Sequence, residues 1–357
     1  MNRSRRNRKR WYRGLALAGI LILAAMVPVT AGLYRQKKET EAQIATRQYI
    51  QTEDNGNFRG GILEYKGKTY RRSSYVKAIL CMGVDRQGPM TEGTASTQGG
   101  QADGLFVLAQ DTTRNTLKIL MIPRDTMTEI TLTDLSGNVL GTDVQHITLA
   151  YAYGDGREES CERMAEAVTR LLGGLEMDHY LAADIDVIGM LNDAVGGVTV
   201  TIPIDGMEER DPAFVKGERV TLHGGQAEAF VRYRDIAQSH SAITRMAQQQ
   251  QYITQYFAAL KKKSQEDSQI ISEIFSMVEN HMVTDMGKEE YLKIAMDALN
   301  TESLADGDFY TIPGQTVETE VYDEFYVDEE ALMPVILEMF YREVSAGGYR
   351  GDRGDRQ

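Results

Sequence analysis

Residues 14–34, GLALAGILILAAMVPVTAGLY, run for 21 positions without a charge, and no other feature restricts this chain so strongly. As a helix rising ~1.5 Å per residue, such a stretch crosses a bilayer core of ~30 Å. Arg3, Arg5, Arg6, Arg8, Lys9, Arg10 and Arg13 precede it. A basic flank stays on the cytoplasmic side, so the remainder is predicted to face outward. Trp11 and Tyr12 on one side and Tyr34 on the other suit the two interfaces. A cleaved signal peptide has a similar order of parts, with VTAG at 29–32 as the small-residue site. The length of the apolar run favours a retained anchor.

Setting the seven basic residues aside leaves 32 of the 39 Lys+Arg against all 52 Asp+Glu. A surface this acidic excludes general nucleic-acid or anionic-membrane binding, so any anion must be held by local arginines or a metal ion. Cys81 and Cys161 are the two cysteines. They could pair in an oxidising compartment, although Cys81 lies in an apolar run and reads as an ordinary buried residue. The five histidines are scattered, with no Cys/His spacing of the metal-binding kind.

The chain divides into a basic tail (1–13), the predicted membrane helix (14–34), a polar stalk (35–75), one α/β domain (76–345) and a short polar tail (346–357). Within the domain, Val76–Val84, residues 104–110 and Thr116–Ile122 are apolar runs of strand length, and DTTRN joins the last two as a hairpin. Helical spacing over 158–172 and 185–195 ends each time in Gly-Gly, the second leading into a strand at 197–202. A long helix over 242–263 puts Ile243, Met246, Ile253, Phe257 and Leu260 on one face. Further helices are predicted at 268–282, 288–300 and 328–345. The Gly/Ser/Thr-rich residues 86–101 read as a mobile loop.

Charged residues collect where the strands end. Asp85 and Arg86 follow the first strand, Asp103 precedes the second, and Arg124 and Asp125 follow Pro123 at the end of the third. If FVRYRD, 230–235, is a strand, Arg232 and Arg234 project from one face. Arg245 and Gln249 share a face near the start of the long helix, where an anion is favoured. Any one such pair is more often a structural ion pair. Together, four arginines and two or three aspartates suggest a site for a diphosphate with a divalent cation. Arginine forks suit phosphate oxygens, and Asp85 with Asp103 could hold Mg²⁺.

ILCMGVDR, ADGLFVL, LMIPRDT, LAYAYGDG, LNDAVGGVTVTIP, LHGGQAEAFVRYRD and RMAQQQQYI occur in the order and near the spacing of the LytR-CpsA-Psr family, which residues 76–345 resemble. The resemblance implies a single α-β-α domain with a central mixed sheet behind one transmembrane helix. It also implies a bacterial cell-membrane location, with the catalytic domain extracellular. The implied activity is transfer of a glycopolymer, of teichoic acid or capsule type, from undecaprenyl pyrophosphate to peptidoglycan through a phosphodiester. The prenyl tail would lie between sheet and helices. Asp85 and Asp103 match the family's magnesium aspartates, while Arg124, Arg232, Arg234 and Arg245 match its pyrophosphate arginines. Gln249 matches a polar neighbour, and Arg86 is a further candidate for substrate binding. Asp125 or Asp235 would be the general base, and Arg124 would stabilise charge during transfer. Gln101, Ala242 and Gln248 depart from the family pattern, the first and last by the loss of an arginine. Those losses keep two alternatives open: a non-catalytic binder of lipid carriers, or a hydrolase of the same pyrophosphate.

Overall fold

The computed structural model describes residues 62–95, 98–234, 241–302, 304–319 and 322–344, without the side chains of residues 241 and 242. The expected membrane helix and both tails lie outside these residues. Among the described residues no helix is long and apolar enough to cross a membrane. The chain forms two compact units, residues 1–69 with 349–357, and residues 70–348. In the first, the strand Ile62–Tyr65 is followed by a turn with Lys66 at φ 48° and Gly67 at φ 74°. The sequence reading of 35–75 as a plain stalk missed this strand, because four residues are too few to display a period.

The second unit is built on a six-stranded mixed sheet. Its strands are β1 (Val76–Val84), β2 (Ala102–Asp111), β3 (Thr116–Ile122), β4 (His179–Asp184), β5 (Met282–Thr284) and β6 (Phe309–Thr311), in the order β5-β4-β1-β2-β3-β6. The β1/β4 and β3/β6 pairs are parallel and the other three antiparallel. The predicted β2–β3 hairpin is present. The Asp111 carboxylate holds its turn by accepting from the Thr113 and Arg114 amides at 2.9 and 3.0 Å.

Among the described residues, seven helices of eight residues or more accompany the sheet: α1 (Glu158–Leu171), α2 (Asp186–Ala194), α3 (Gly225–Arg232), α4 (Ser241–Glu266), α5 (Ile270–Val278), α6 (Lys288–Leu299) and α7 (Glu329–Phe340). Side chains alternate across a strand, so each strand feeds two layers. Leu80, Met82, Val107 and Leu120 meet α1 and α7 on one face. Ile119, Met121, Phe106 and Leu108 meet α4, α5 and α6 on the other. A smaller core of Val200, Phe214 and Phe230 joins the hairpin Val198–Thr201/Arg219–Leu222 to α3.

Both Gly-Gly stops work as the sequence suggests. After α1, Gly173 and Gly174 take φ 65° and 90°, and the Gly174 amide donates back to the Thr169 carbonyl at 2.8 Å. Three readings need correction. Residues 230–235 are not a strand: Phe230–Arg232 ends α3, and Tyr233 turns the chain to extended backbone at ψ 129°. The helix expected to reach 345 stops at Phe340 and continues as a strand, Tyr341–Val344. The loop 86–101 is pinned, with the Gly88 amide on Asp186 at 2.8 Å, Met90 on the Asn280 carbonyl at 2.7 Å and Thr94 on the Asp155 carbonyl at 2.7 Å.

Candidate active site

β3 ends at Pro123, whose carbonyl accepts from the Thr126 amide at 3.1 Å and the Thr126 hydroxyl at 2.6 Å. That closed corner delivers Arg124 and Asp125 to the sheet edge. The Arg124 guanidinium donates to the Asp103 carboxylate through one nitrogen and to Asp125 Oδ1 at 3.2 Å through Nε. Asp103 also accepts from the Thr148 hydroxyl at 3.3 Å and lies 3.9 Å from Arg245. Arg245 donates to the Asp103 backbone carbonyl as well, at 3.4 Å. Asp103 is therefore the hub, and it joins residues from β2, the β3 corner and α4.

Arg234 bridges to the same group, with Asp323 at 3.5 Å and Asp125 at 4.0 Å. Arg232 pairs instead with Asp85 at 2.7 Å and Glu228 at 2.8 Å. The two arginines thus do not share a strand face as expected; the end of α3 sends them to different carboxylates. Burial works against the charge of Arg232, but the Glu228 hydrogen bond and then Asp85, Glu228 and Asp103 more than offset it, so its pKa is raised. Arg245 goes the other way. Burial lowers its pKa first, Asp103 opposes that, and the neighbouring Arg124 and Arg234 lower it further. An anion placed beside Arg245 would favour its charged form against that burial and those neighbours.

Other sequence candidates fare differently. Asp235 lies outside the described residues. Arg86 turns into the pinned loop and donates to the Pro89 carbonyl at 3.2 Å, so its recorded partner belongs to that loop and not to the arginine group. Gln249 is half-buried on α4 one turn after Arg245. Gln248, where an arginine was expected, is buried, and its amide donates to the Phe230 carbonyl at 3.1 Å. The position thus faces the small core instead of the rim. Cys81 and Cys161 are both free.

Behind the rim one face of the sheet is only partly covered around two glycines. Gly83 and Gly104 stand opposite each other in β1 and β2, and a Cβ added to either would meet only the other glycine's backbone, at 3.8 Å or more. Gly83 is exposed although it lies in a central strand, and Cys81, Phe106, Leu108 and Leu181 beside it are only half-buried. Their neighbours on the opposite face, Leu80, Val107 and Ala182, are completely covered. Cys81 nevertheless lies deep among protein atoms, and burial pushes its thiol up to about 12. Burial likewise raises Tyr291 and Tyr256, with Cys81 adding to the first and Tyr291 to the second. On this face Cys81, Leu108, Leu181 and Tyr291 pack against Ile79, Met286 and Ile294, and Phe106 and Leu108 pack against the core shared with α4, α5 and α6. Farther along the strands Ile79, Ile119 and Gln110 are buried, and the Gln110 amide donates to the Ile294 carbonyl at 2.9 Å. In the strands the two glycines lie between these side chains and Asp85 and Asp103.

One arrangement escaped sequence reasoning. Asp184, Asp186 and His281 bring ligand-type atoms within 4.8 Å of one another. Asp184 alternates onto the face of Ala182, opposite the partly covered one. Its carboxylate contacts His281 Nδ1 at 2.6 Å and accepts from the Asp186 and Val187 amides at 2.9 and 3.3 Å. Those contacts make it a latch holding α2 to the strand ends. A separation of 97 residues left no local spacing to detect.

With this geometry, the chain belongs to the LytR_cpsA_psr family, whose model matches residues 33–339. It is 29% identical over 221 residues to the polyisoprenyl-teichoic acid–peptidoglycan teichoic acid transferase TagV of Bacillus subtilis, a match covering 60% of this chain and 50% of TagV. It is 32% identical over 157 residues to TagU, of the same description, from Halalkalibacterium halodurans, covering 44% of each chain. The chain thus spans about half the length of these relatives. Its fold is that of B. subtilis TagV, at a TM-score of 0.53 and 22% identity over 75% of this chain and 98% of TagV. TagT bound to LI-WTA aligns at a TM-score of 0.55 and 17% identity, over 74% and 90%.

Proposed function

We propose that this protein is an extracytoplasmic phosphotransferase anchored by residues 14–34. It would take a glycopolymer from undecaprenyl pyrophosphate and attach it to peptidoglycan through a phosphodiester. The observation that carries this reading is one juxtaposition: a partly covered apolar sheet face that ends at Gly83 and Gly104, beside Asp103 and the arginines gathered around it. A lipid diphosphate has the same two parts in the same order. The names of TagV and TagU, polyisoprenyl-teichoic acid–peptidoglycan transferases, support the same substrate classes.

Arg124 and Arg245 bind the diphosphate oxygens, exchanging the carboxylate of Asp103 for a phosphate of greater charge. Charge gathers on the transferring phosphoryl group and on the departing polyprenyl phosphate, and fixed guanidinium groups meet it without reorganisation. Asp85 and Asp103 offer carboxylate oxygens of the kind that suit a hard cation, and they would hold Mg²⁺, which would supply further neutralisation of the diphosphate. Asp125 is placed to accept the acceptor hydroxyl proton: it is buried, and its Oδ2 has no hydrogen-bond donor.

The test incubates the protein with Mg²⁺, a polyprenyl-diphosphate-linked glycan and a peptidoglycan fragment, followed by mass spectrometry. A phosphodiester conjugate is expected, with Arg124→Ala slowing its formation by about 10²–10³-fold. Asp103→Asn abolishes it in a folded domain. Polyprenyl phosphate without conjugate would instead indicate hydrolysis, and binding without turnover a regulator.

A further inference from the structure

Outside the charged rim, Tyr322 leaves 69% of its surface exposed. An exposed aromatic ring held beside a charged rim offers a flat face on which a ligand can pack. The Tyr322 amide donates to Thr319 Oγ1 at 3.1 Å, and the Thr319 amide donates to the Tyr322 carbonyl at 3.3 Å. The ring meets His146 edge to face, with centroids 6.0 Å apart and planes at 83°. Such a contact orients an aromatic ring while leaving a face open.

Both members are tied to the rim through their own backbones. His146 ends the hairpin Met127–Thr133/Val139–His146, opposite Met127. Two residues further on, the Thr148 hydroxyl donates to Asp103. Tyr322 immediately precedes Asp323, the partner of Arg234, and the Phe325 amide donates to the Asp125 carbonyl at 2.8 Å. The pair therefore stands at the β3 end of the rim, whereas the facing glycines lie in β1 and β2. A lipid diphosphate whose tail lay over the glycines would direct its sugar end toward β3.

We propose that Tyr322 and His146 form a stacking platform for a pyranose ring of the glycan that reacts at the rim. This rests on the transferase reading above. A pyranose presents one face of C–H groups, which packs against an aromatic face while the hydroxyls stay in water. Tyr322 supplies the face, and His146 acts as a positioning residue for it. No phosphate contact is required of either.

Calorimetry on the full chain in detergent tests this with three probes: a soluble β-1,4-linked N-acetylglucosamine hexamer, a polyprenyl-diphosphate-linked glycan and a glycan-free polyprenyl diphosphate. Tyr322→Ala weakens at least one glycan-bearing probe by about three- to tenfold, the range expected for one aromatic contact. It leaves the glycan-free lipid unchanged, and Tyr322→Phe retains wild-type affinity. Loss on the hexamer assigns the platform to the acceptor strand, while loss on the lipid-linked glycan alone assigns it to the donor. Equal affinities of wild type and Tyr322→Ala for both glycans, or no glycan binding by the wild type, would overturn the platform. Failure of the wild type to bind the glycan-free lipid would count against the transferase reading, and the hexamer would still report on the platform.

Discussion

The two faces of the central sheet are made from the same strands and the same kinds of residue, yet one is sealed and the other open. Ala182 is fully covered and the next residue, Ala183, is half-buried; Leu80 and Cys81 differ in the same way. Period-2 alternation sends neighbours to opposite faces, so composition cannot produce the difference. What contributes to it is the paired absence of side chains at Gly83 and Gly104, which leaves the residues beside them covered from fewer sides. The sealed face stabilises the fold. The open face gives up packing where an apolar ligand can restore it.

The largest expected effect separates the two faces by truncation. Leu80→Ala should cost about 2–5 kcal/mol in equilibrium denaturation, whereas Leu108→Ala on the open face should cost about half of that or less. Equal losses would mean that the open face is packed after all. Next comes overfilling. Ala182→Leu should destabilise by about 1–3 kcal/mol, while Ala183→Leu changes stability little and instead weakens binding of a polyprenyl diphosphate. A destabilised Ala183→Leu protein would mean that this face has no room for a ligand. The ligand itself should raise the melting temperature of the wild type in proportion to its concentration over Kd, and that gain should shrink in Ala183→Leu.

The smallest effect concerns the edge of the sealed face, where Glu338 of α7 meets Lys118 of β3 and Tyr310 of β6. The Lys118 and then the Tyr310 hydrogen bonds hold the Glu338 carboxyl below its usual range. A lowered folded-state pKa stabilises above the ordinary carboxylate range, and the contribution disappears as pH falls through the lowered value. Glu338→Gln should therefore lower the denaturation midpoint slightly at neutral pH and not at all in acid. The half-exposed carboxylate keeps the difference small. A difference that grew in acid would contradict the assignment.

Much of this was legible in the sequence because it was local. The three apolar strands, both Gly-Gly stops and the long helix follow from periodicity and caps, and Asp85, Asp103, Arg124, Asp125 and Arg245 sit at or near strand or helix ends that those signals locate. What was not legible depended on long-range placement. Arg232 and Arg234 looked like one strand face, but Gln226 to Val231 pack as a helix against the small core, so the pair splits between Asp85 and Asp323. Arg86 reads like its neighbour Asp85 and is instead held by its own loop. The Asp184–His281 latch joins residues far apart in the chain. The partial covering of this face could not be read at all: Cys81, Phe106 and Leu108 are the same residue types that fill a closed core, and only their exposure distinguishes them.

The most direct measurement places a photoreactive group in the tail of a polyprenyl diphosphate, cross-links it to the wild-type protein and maps the labelled peptides. If the tail enters past Gly83 and Gly104, labels fall on β2 at Phe106 and Leu108, on Leu181 and on Tyr256 of α4, and unlabelled ligand competes them away. Labels confined to the outer surface or to α1 and α7, or insensitive to competition, would contradict the account.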